Sequence, residues 1–473
     1  MTEAQQNGKW AHRNSGYAWA VVSMLTFAYT VSYIDRQVLN LMIDAIKTDL
    51  DAIDTQMSLL QGAAFIIAYL TFTPIFGRMA DTGSRKKIIT MAVIVWSGFT
   101  VLCGFSTNLP LLFFARAGVG AAEAALAPAA FSLITDYFTK ERLPRALSIF
   151  SIGPYLGGGF ALIAGGLLFW TAERLAESLP FLSGLMAWQI TFIVVGAAGI
   201  PLSLVLFLML REPPRRVIAS TAIDERHFSL VETWSFLWQR RSFYFRFYIA
   251  MACTVVVFYT IPAWMPVLLI RKYGADPGSV GLVYGALVLV VGTLGVLSGP
   301  ILEEWLRKRG HKGSVVICII LAGVGLAITS VMLFFARSYE STLIIAGLAA
   351  FLYSFPQPIA ATALQIVTPN RMRGVVFSVY VLTVSGIGLG IAPTLVALIT
   401  DYVFKDDLQV NYSLAIICTV SATLAAWLGY GALDPYRKAV EAEEEIAAKL
   451  EERSLSETTD PIGRVEQMSP SKA

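Results

Sequence analysis

The chain has 473 residues, of which 56% are hydrophobic and 15% charged, with a formal net charge of +3 at pH 7. A mean hydropathy of +0.64 gives more apolar surface than a soluble core could hide, which excludes a water-soluble globular protein and places the chain in a bilayer. The basic residues lie in loops rather than in one stripe, so nucleic acid is not an expected partner.

Taken in chain order, apolar stretches of roughly 18 to 25 residues predict spans. They fall at approximately 17–39, 57–78, 88–106, 109–136, 145–170, 188–210, 243–270, 279–302, 314–336, 341–367, 374–400 and 412–433. The expected fold class is an all-α membrane protein, with twelve transmembrane helices in two pseudo-symmetric six-helix bundles. The expected divisions are an N-terminal tail (1–15), a first bundle (16–210), a linker (211–242), a second bundle (243–433) and a C-terminal tail (434–473). The linker opens on Arg211-Glu212-Pro213-Pro214 and carries a candidate interfacial helix near 233–238, whereas the tail shows helical charge pairing over 438–453 before a polar end.

Loops after even-numbered spans hold about twenty Lys and Arg against about six after odd-numbered ones, so both termini are expected in the cytoplasm. The first apolar run is too long for a cleavable signal and reads as an uncleaved span. Cys103, Cys253, Cys318 and Cys418 all fall within spans without CxxC spacing, which argues against disulfides and zinc. His12, His227 and His311 fall in tail or loops, outside any intramembrane proton relay.

Two segments share one punctuation. Gly77, Asp81 and Arg85 with Lys86 and Lys87 recur as Gly299, Glu303 and Arg307 with Lys308 and Arg309. The glycine permits close helix approach, the acid suits a neighbouring helix N-terminus, and the bases hold one membrane side. Further pairs stand 230 residues apart: Pro128 and Pro358, Ser148 and Ser378, Gly158 and Gly388. The chain therefore reads as two like halves, the plan of a secondary transporter.

Ionisable residues inside a span are costly and by default functional. The first half has Asp35 and Arg36 in span 1 and Arg116 and Glu123 in span 4. Arg116 and Glu123 are two turns apart and share a face, whereas Asp35 and Arg36 point about 100° apart. One of that adjacent pair is expected to face a central cavity and the other a neighbouring helix. Small residues from Gly118 to Ala125 leave room for such a cavity. Gly153-Pro154 predicts a bend in span 5, and Pro262, Pro266, Pro356 and Pro358 predict breaks in spans 7 and 10. The second half has almost no internal charge; Tyr259, Trp264, Tyr284, Tyr353, Gln357 and Tyr380 form its candidate apolar, aromatic cavity wall.

With Tyr33-Ile34-Asp35-Arg36, Gln61, Tyr69, the Gly77–Lys87 loop, Arg116 to Ala124 with Pro128, and Arg145 to Phe150 with Gly157 to Gly159, the chain resembles the major facilitator superfamily, and within it the spinster-like lipid and lysolipid transporters. That resemblance implies Asp81 at the start of span 11, with Arg85 and Arg145 in a cytoplasmic charge latch favouring the outward-open state. It also implies that Asp35, Arg36 and Glu123 serve substrate and coupling. Ala122 stands where the group's pattern has glycine. Organic-anion symporters of the same superfamily share the Asp-Arg and Glu features and provide the alternative.

HExxH, GxSxG and nucleotide-binding P-loop patterns are lacking, so the expectation is a non-enzymatic transporter driven by a proton gradient, without a cofactor. The expected substrate is an amphiphilic lipid such as a lysophospholipid or sphingoid phosphate. The expected setting is the bacterial inner membrane, among membrane lipids, with the chain working as a monomer.

Overall fold

A computed structural model describes residues 14–139, 142–178, 184–214, 230–369 and 372–459. Among them, twelve helices are long and apolar enough to cross a bilayer, and there are no strands. In order, spans 1 to 12 are Gly16–Leu41, Asp54–Thr82, Arg85–Gly104, Leu109–Tyr137, Arg145–Ala172, Ala187–Met209, Arg241–Tyr273, Pro277–Lys308, Ser314–Phe335, Tyr339–Val367, Arg373–Phe404 and Asp407–Ala442. Helices are the expected solution here, because each satisfies its backbone N–H and C=O groups within one segment in a medium without water.

The two halves repeat one packing scheme. Spans 1 and 5, 2 and 4, and 3 and 6 pair in the first half; spans 7 and 11, 8 and 10, and 9 and 12 pair in the second. Span 4 is interrupted after Glu123 and resumes at Leu126, and span 10 is interrupted after Ser354 and resumes at Gln357. Ala125 and Phe355 in these gaps stand 230 residues apart, the offset of the sequence repeat.

Span 7 corrects the expectation of a break. Its helix is continuous through Pro262 and Pro266. Pro266 has no N–H for the carbonyl of Pro262 four residues earlier, and Asn40 Nδ2 of span 1 donates to that carbonyl instead at 3.4 Å. Span 5 is likewise continuous through Pro154. The linker contains a helix, Leu230–Gln239, around the candidate interfacial segment, while 215–229 lie outside the described residues. The helix of span 12 runs on to Thr459, so no structural boundary stands at 434. Pro435 leaves the Gly431 carbonyl without its usual donor, and Arg246 Nη1 supplies one at 2.6 Å.

Both described termini and the ends of even-numbered spans share one end of the molecule, here the terminal end; the other is the far end. The halves meet toward the far end through glycines. A Cβ at Gly62 would lie 2.2 Å from the Leu389 carbonyl oxygen, and one at Gly166 would lie 2.7 Å from that of Gly278. Toward the terminal end a Cβ at Gly77 or Gly374 would meet nothing within 4 Å. Gly77 therefore makes no close helix approach, contrary to expectation, whereas its counterpart Gly299 does: a Cβ there would lie 2.1 Å from the Phe355 carbonyl oxygen.

Candidate functional site

Spans 1 and 4 bring two of the four intramembrane charges, Arg36 and Glu123, into direct contact. Ser32 and Arg36, one turn apart on span 1, both reach Glu123 at the interruption of span 4. Arg36 Nε lies 2.6 Å from Glu123 Oε2, and Ser32 Oγ donates to the same oxygen at 2.9 Å. Tyr33, Phe65 and Tyr69 surround the Arg36 guanidinium, with ring centroids 4.5, 4.4 and 5.1 Å away. Aromatic faces attract a partly desolvated cation, so Arg36 keeps favourable surroundings while only its Nε serves Glu123.

Asp35 turns the other way. Thr100 Oγ1 of span 3 donates to its Oδ2 at 3.2 Å, and Arg116 Nη1 donates to its backbone carbonyl at 3.0 Å. Arg116 is 1% exposed, so it does not snorkel. Glu123 Oε1, Asp35 Oδ1 and Arg116 Nε and Nη2 are buried without a hydrogen-bond partner. A buried polar atom left bare is expensive, so four within one cluster single it out as the candidate site.

Two clefts flank this cluster. One has Arg36, Asn40, Gln61, Phe65 and Tyr259 on its walls. The other is lined by Tyr33, Tyr155, Gly158, Phe258, Val288 and Tyr353 among others, from spans 1, 5, 7, 8 and 10. Of the candidate aromatic wall, Tyr259 and Tyr353 line a cleft. Trp264 does not: it is fully buried and donates from Nε1 to the Pro393 carbonyl at 3.0 Å. Tyr284 is also fully buried, Tyr380 packs on Phe247 and Tyr248, and Gln357 Nε2 donates to the Tyr353 carbonyl at 3.4 Å. Phe65, Tyr155 and Phe258 were missed by the sequence reading, because an aromatic in a span carries no mark of which side it faces.

The expected latch at the terminal end is not assembled in this conformation. Asp81 and Arg145 are exposed, and their side chains make no hydrogen bond or ion pair among the described residues. Glu303 pairs within its own helix with Arg307 at 3.5 Å and accepts from Ser314 Oγ at 2.7 Å. The halves are instead locked at the far end. Arg271, closing span 7, grips Asp54 with Nη1 and Nη2 at 2.6 and 2.7 Å, and reaches Asp44 at 2.6 Å. Lys47 bridges Asp54 at 3.0 Å and Asp407 at 2.5 Å. Thr55 donates from its backbone N–H and Oγ1 to Asp401 Oδ2 at 2.7 and 2.6 Å. Asp44 and Lys47 are carried by a short helix, Ile43–Asp49, lying between spans 1 and 2.

Arg85 serves its own half. Buried at 1% exposure, it pairs with Asp136 at the end of span 4, binds Glu212 Oε1 from Nε at 2.7 Å, and donates to the Pro213 carbonyl at 3.1 Å. Glu212 Oε2 also accepts from Ser84 Oγ and the Lys86 N–H, both at 2.9 Å. Burial alone would raise the pKa of Glu212, but the bonds from Lys86, Arg85 and Ser84 outweigh it and hold the carboxyl below the usual glutamate range. A lowered folded value contributes stability above the unfolded pKa of about 4.3, and that stability is lost as pH falls through the folded value. Glu212→Gln should therefore melt lower at neutral pH and lose less on acidification below about pH 4 than the parent. Melting curves across that range check this, and an unchanged acid limb in the variant would count against it.

Comparison with known proteins gives this arrangement its context. The family model described as Major Facilitator Superfamily matches residues 25–393. The chain is 25% identical over 435 residues to the protein spinster homolog 1 of Xenopus tropicalis, covering 85% of this chain and 77% of that protein. It is 27% identical to an MFS-type efflux pump of Mycolicibacterium smegmatis, over 64% of this chain and 66% of the pump. The fold matches a solved bacterial homolog of the human lysosomal transporter spinster, in an inward-facing and unoccupied conformation, with TM-score 0.72 and 24% identity over 91% of this chain and 98% of that one. The chain thus belongs to the Major Facilitator Superfamily, as a multi-pass membrane transporter similar to the spinster proteins.

Proposed function

We propose that the chain moves an amphiphilic lipid, a lysophospholipid or sphingoid phosphate, by proton-coupled alternating access, as a monomer with both termini in the cytoplasm of a bacterial inner membrane. One observation carries this reading. Arg36, at the wall of a cleft, is held by a single oxygen of Glu123 whose other oxygen is bare, and a second, aromatic cleft opens beside it. Arg36 suits an anionic or zwitterionic head, and the cleft lined by Tyr155, Phe258, Leu162 and Val288 suits a hydrocarbon chain. Protonation of Glu123 would remove the charge that holds Arg36 and leave the guanidinium for a substrate phosphate.

The basic loops at the terminal end, Arg85 to Lys87 and Arg307 to Arg309, support a cytoplasmic location for that end. With the halves locked at the far end, the conformation is then inward-facing. Likeness to an efflux pump favours outward movement.

The test is a ligand series with one phosphate head and increasing chain length. Each buried methylene contributes about 0.8 kcal/mol, so affinity should rise about fourfold per methylene until the cleft is filled. Arg36→Ala should weaken every member by a similar factor. Flat dependence on chain length, or best competition by short dicarboxylates, would transfer the reading to a proton-coupled symporter of small organic anions.

A further inference from the structure

The linker helix Leu230–Gln239 presents three different faces. Thr233 and Leu237 are buried, at 2% and 8% exposure, and Phe236 packs with them toward the second half. Trp234 and Trp238, one turn apart, are each 61% exposed. Glu232, Ser235 and Gln239 are also exposed, and at roughly 100° per residue they fall on a third, polar side. A helix in water needs only a packed side and a polar side; two outward indoles beside a polar edge match a helix lying at a membrane surface.

Its position agrees. Only Arg240 separates this helix from span 7, and it packs beside the start of span 11. Arg240 Nη1 donates to the Val367 carbonyl at 3.3 Å, fixing the helix to the end of span 10. Arg241 Nη1 donates to the Trp238 carbonyl at 3.1 Å, with its guanidinium 5.4 Å from the Trp238 ring. Phe245, Trp305 and Tyr430 continue an exposed aromatic belt at the same end, and Arg309 lies 3.8 Å over the Trp305 ring. Indoles at headgroup depth with exposed guanidiniums beside them complement phosphate-bearing anionic lipid.

We propose that this helix is an interfacial anchor that binds anionic phospholipid, with Trp234 and Trp238 in the headgroup region and Arg241 on the phosphates. It thereby ties the start of span 11, one of the elements that meets the first half, to the membrane surface.

Single nitroxide labels at 234, 238, 235 and 239, in otherwise full-length protein, test the placement in phosphatidylcholine vesicles with and without phosphatidylglycerol. The native cysteines are all buried, which directs labelling to the introduced thiol. Labels at 234 and 238 should collide with oxygen several-fold more than with a water-soluble nickel reagent, and labels at 235 and 239 the reverse. Equal access of the nickel reagent at 238 and 239 would overturn the proposal, as would exclusion of both reagents at 238, which would mean that protein covers this face. Arg241→Gln should lower the preference of the protein for spin-labelled phosphatidylglycerol over phosphatidylcholine about fivefold, the equivalent of ~1 kcal/mol per basic residue at an anionic surface. An unchanged preference would overturn the assignment of anionic lipid.

Discussion

Arg271→Gln is expected to release the far end and convert most molecules to the opposite conformation, open at that end. Asp54 has no exposed side-chain surface, and Arg271 supplies two of its hydrogen bonds. Removing one partner of a buried ion pair leaves an uncompensated charge and costs about 3–5 kcal/mol. Lys47 remains 3.0 Å from Asp54 and offsets part of that loss, so the low end applies. About 3 kcal/mol changes a two-state ratio roughly a hundredfold. Spin labels on exposed Thr48 and Leu408, one in each half, should report a longer distance in the variant. Asp54→Asn together with Arg271→Gln should cost less than the sum of the two single changes, since the groups share one interaction. An unaltered distance distribution in Arg271→Gln would show that the glycine seam, through Gly62 and Gly166, holds the far end by itself.

That latch shows where the sequence stops being informative. The spans, the duplication and the four intramembrane charges were legible because each rests on a local property: hydropathy, spacing, or the cost of a charge at depth. The interruptions of spans 4 and 10 keep the same 230-residue offset, but only the one in span 10 was expected, from Pro356 and Pro358. Arg271 and Asp54 were not singled out, because a charge at a span end is ordinary and their partnership crosses 217 positions. Nor does a sequence state which conformation is populated. Asp81 and Arg145 carry the motif of a latch for one state, and the structure shows the other end closed. Pro266 was misread for a related reason: whether proline breaks a helix depends on what serves the orphaned carbonyl, and Asn40 comes from the other half to serve that of Pro262. Arg85 was read as a cross-half group until Glu212, hidden in a linker of ordinary charge, proved to be its partner.

Glu123→Gln is expected to uncouple transport from the proton gradient while sparing substrate exchange. The amide keeps the size of the side chain and can still accept from Ser32, but it has no charge to hold Arg36 and no proton to exchange. Arg36 retains its three aromatic neighbours, so the guanidinium stays near the cleft and remains able to meet an anionic head. A gradient of one pH unit supplies about 1.4 kcal/mol per proton, enough for about tenfold accumulation by a one-proton carrier. The variant should accumulate nothing beyond equilibrium in proteoliposomes under that gradient, yet should exchange labelled for unlabelled substrate at symmetric pH. Thr100→Val, which removes the hydroxyl donor to Asp35 and leaves Glu123 untouched, should change the driven rate only modestly. If Glu123→Gln still accumulates substrate and Thr100→Val does not, the proton is carried on the Asp35 side of span 1, and the Arg36–Glu123 pair serves binding alone.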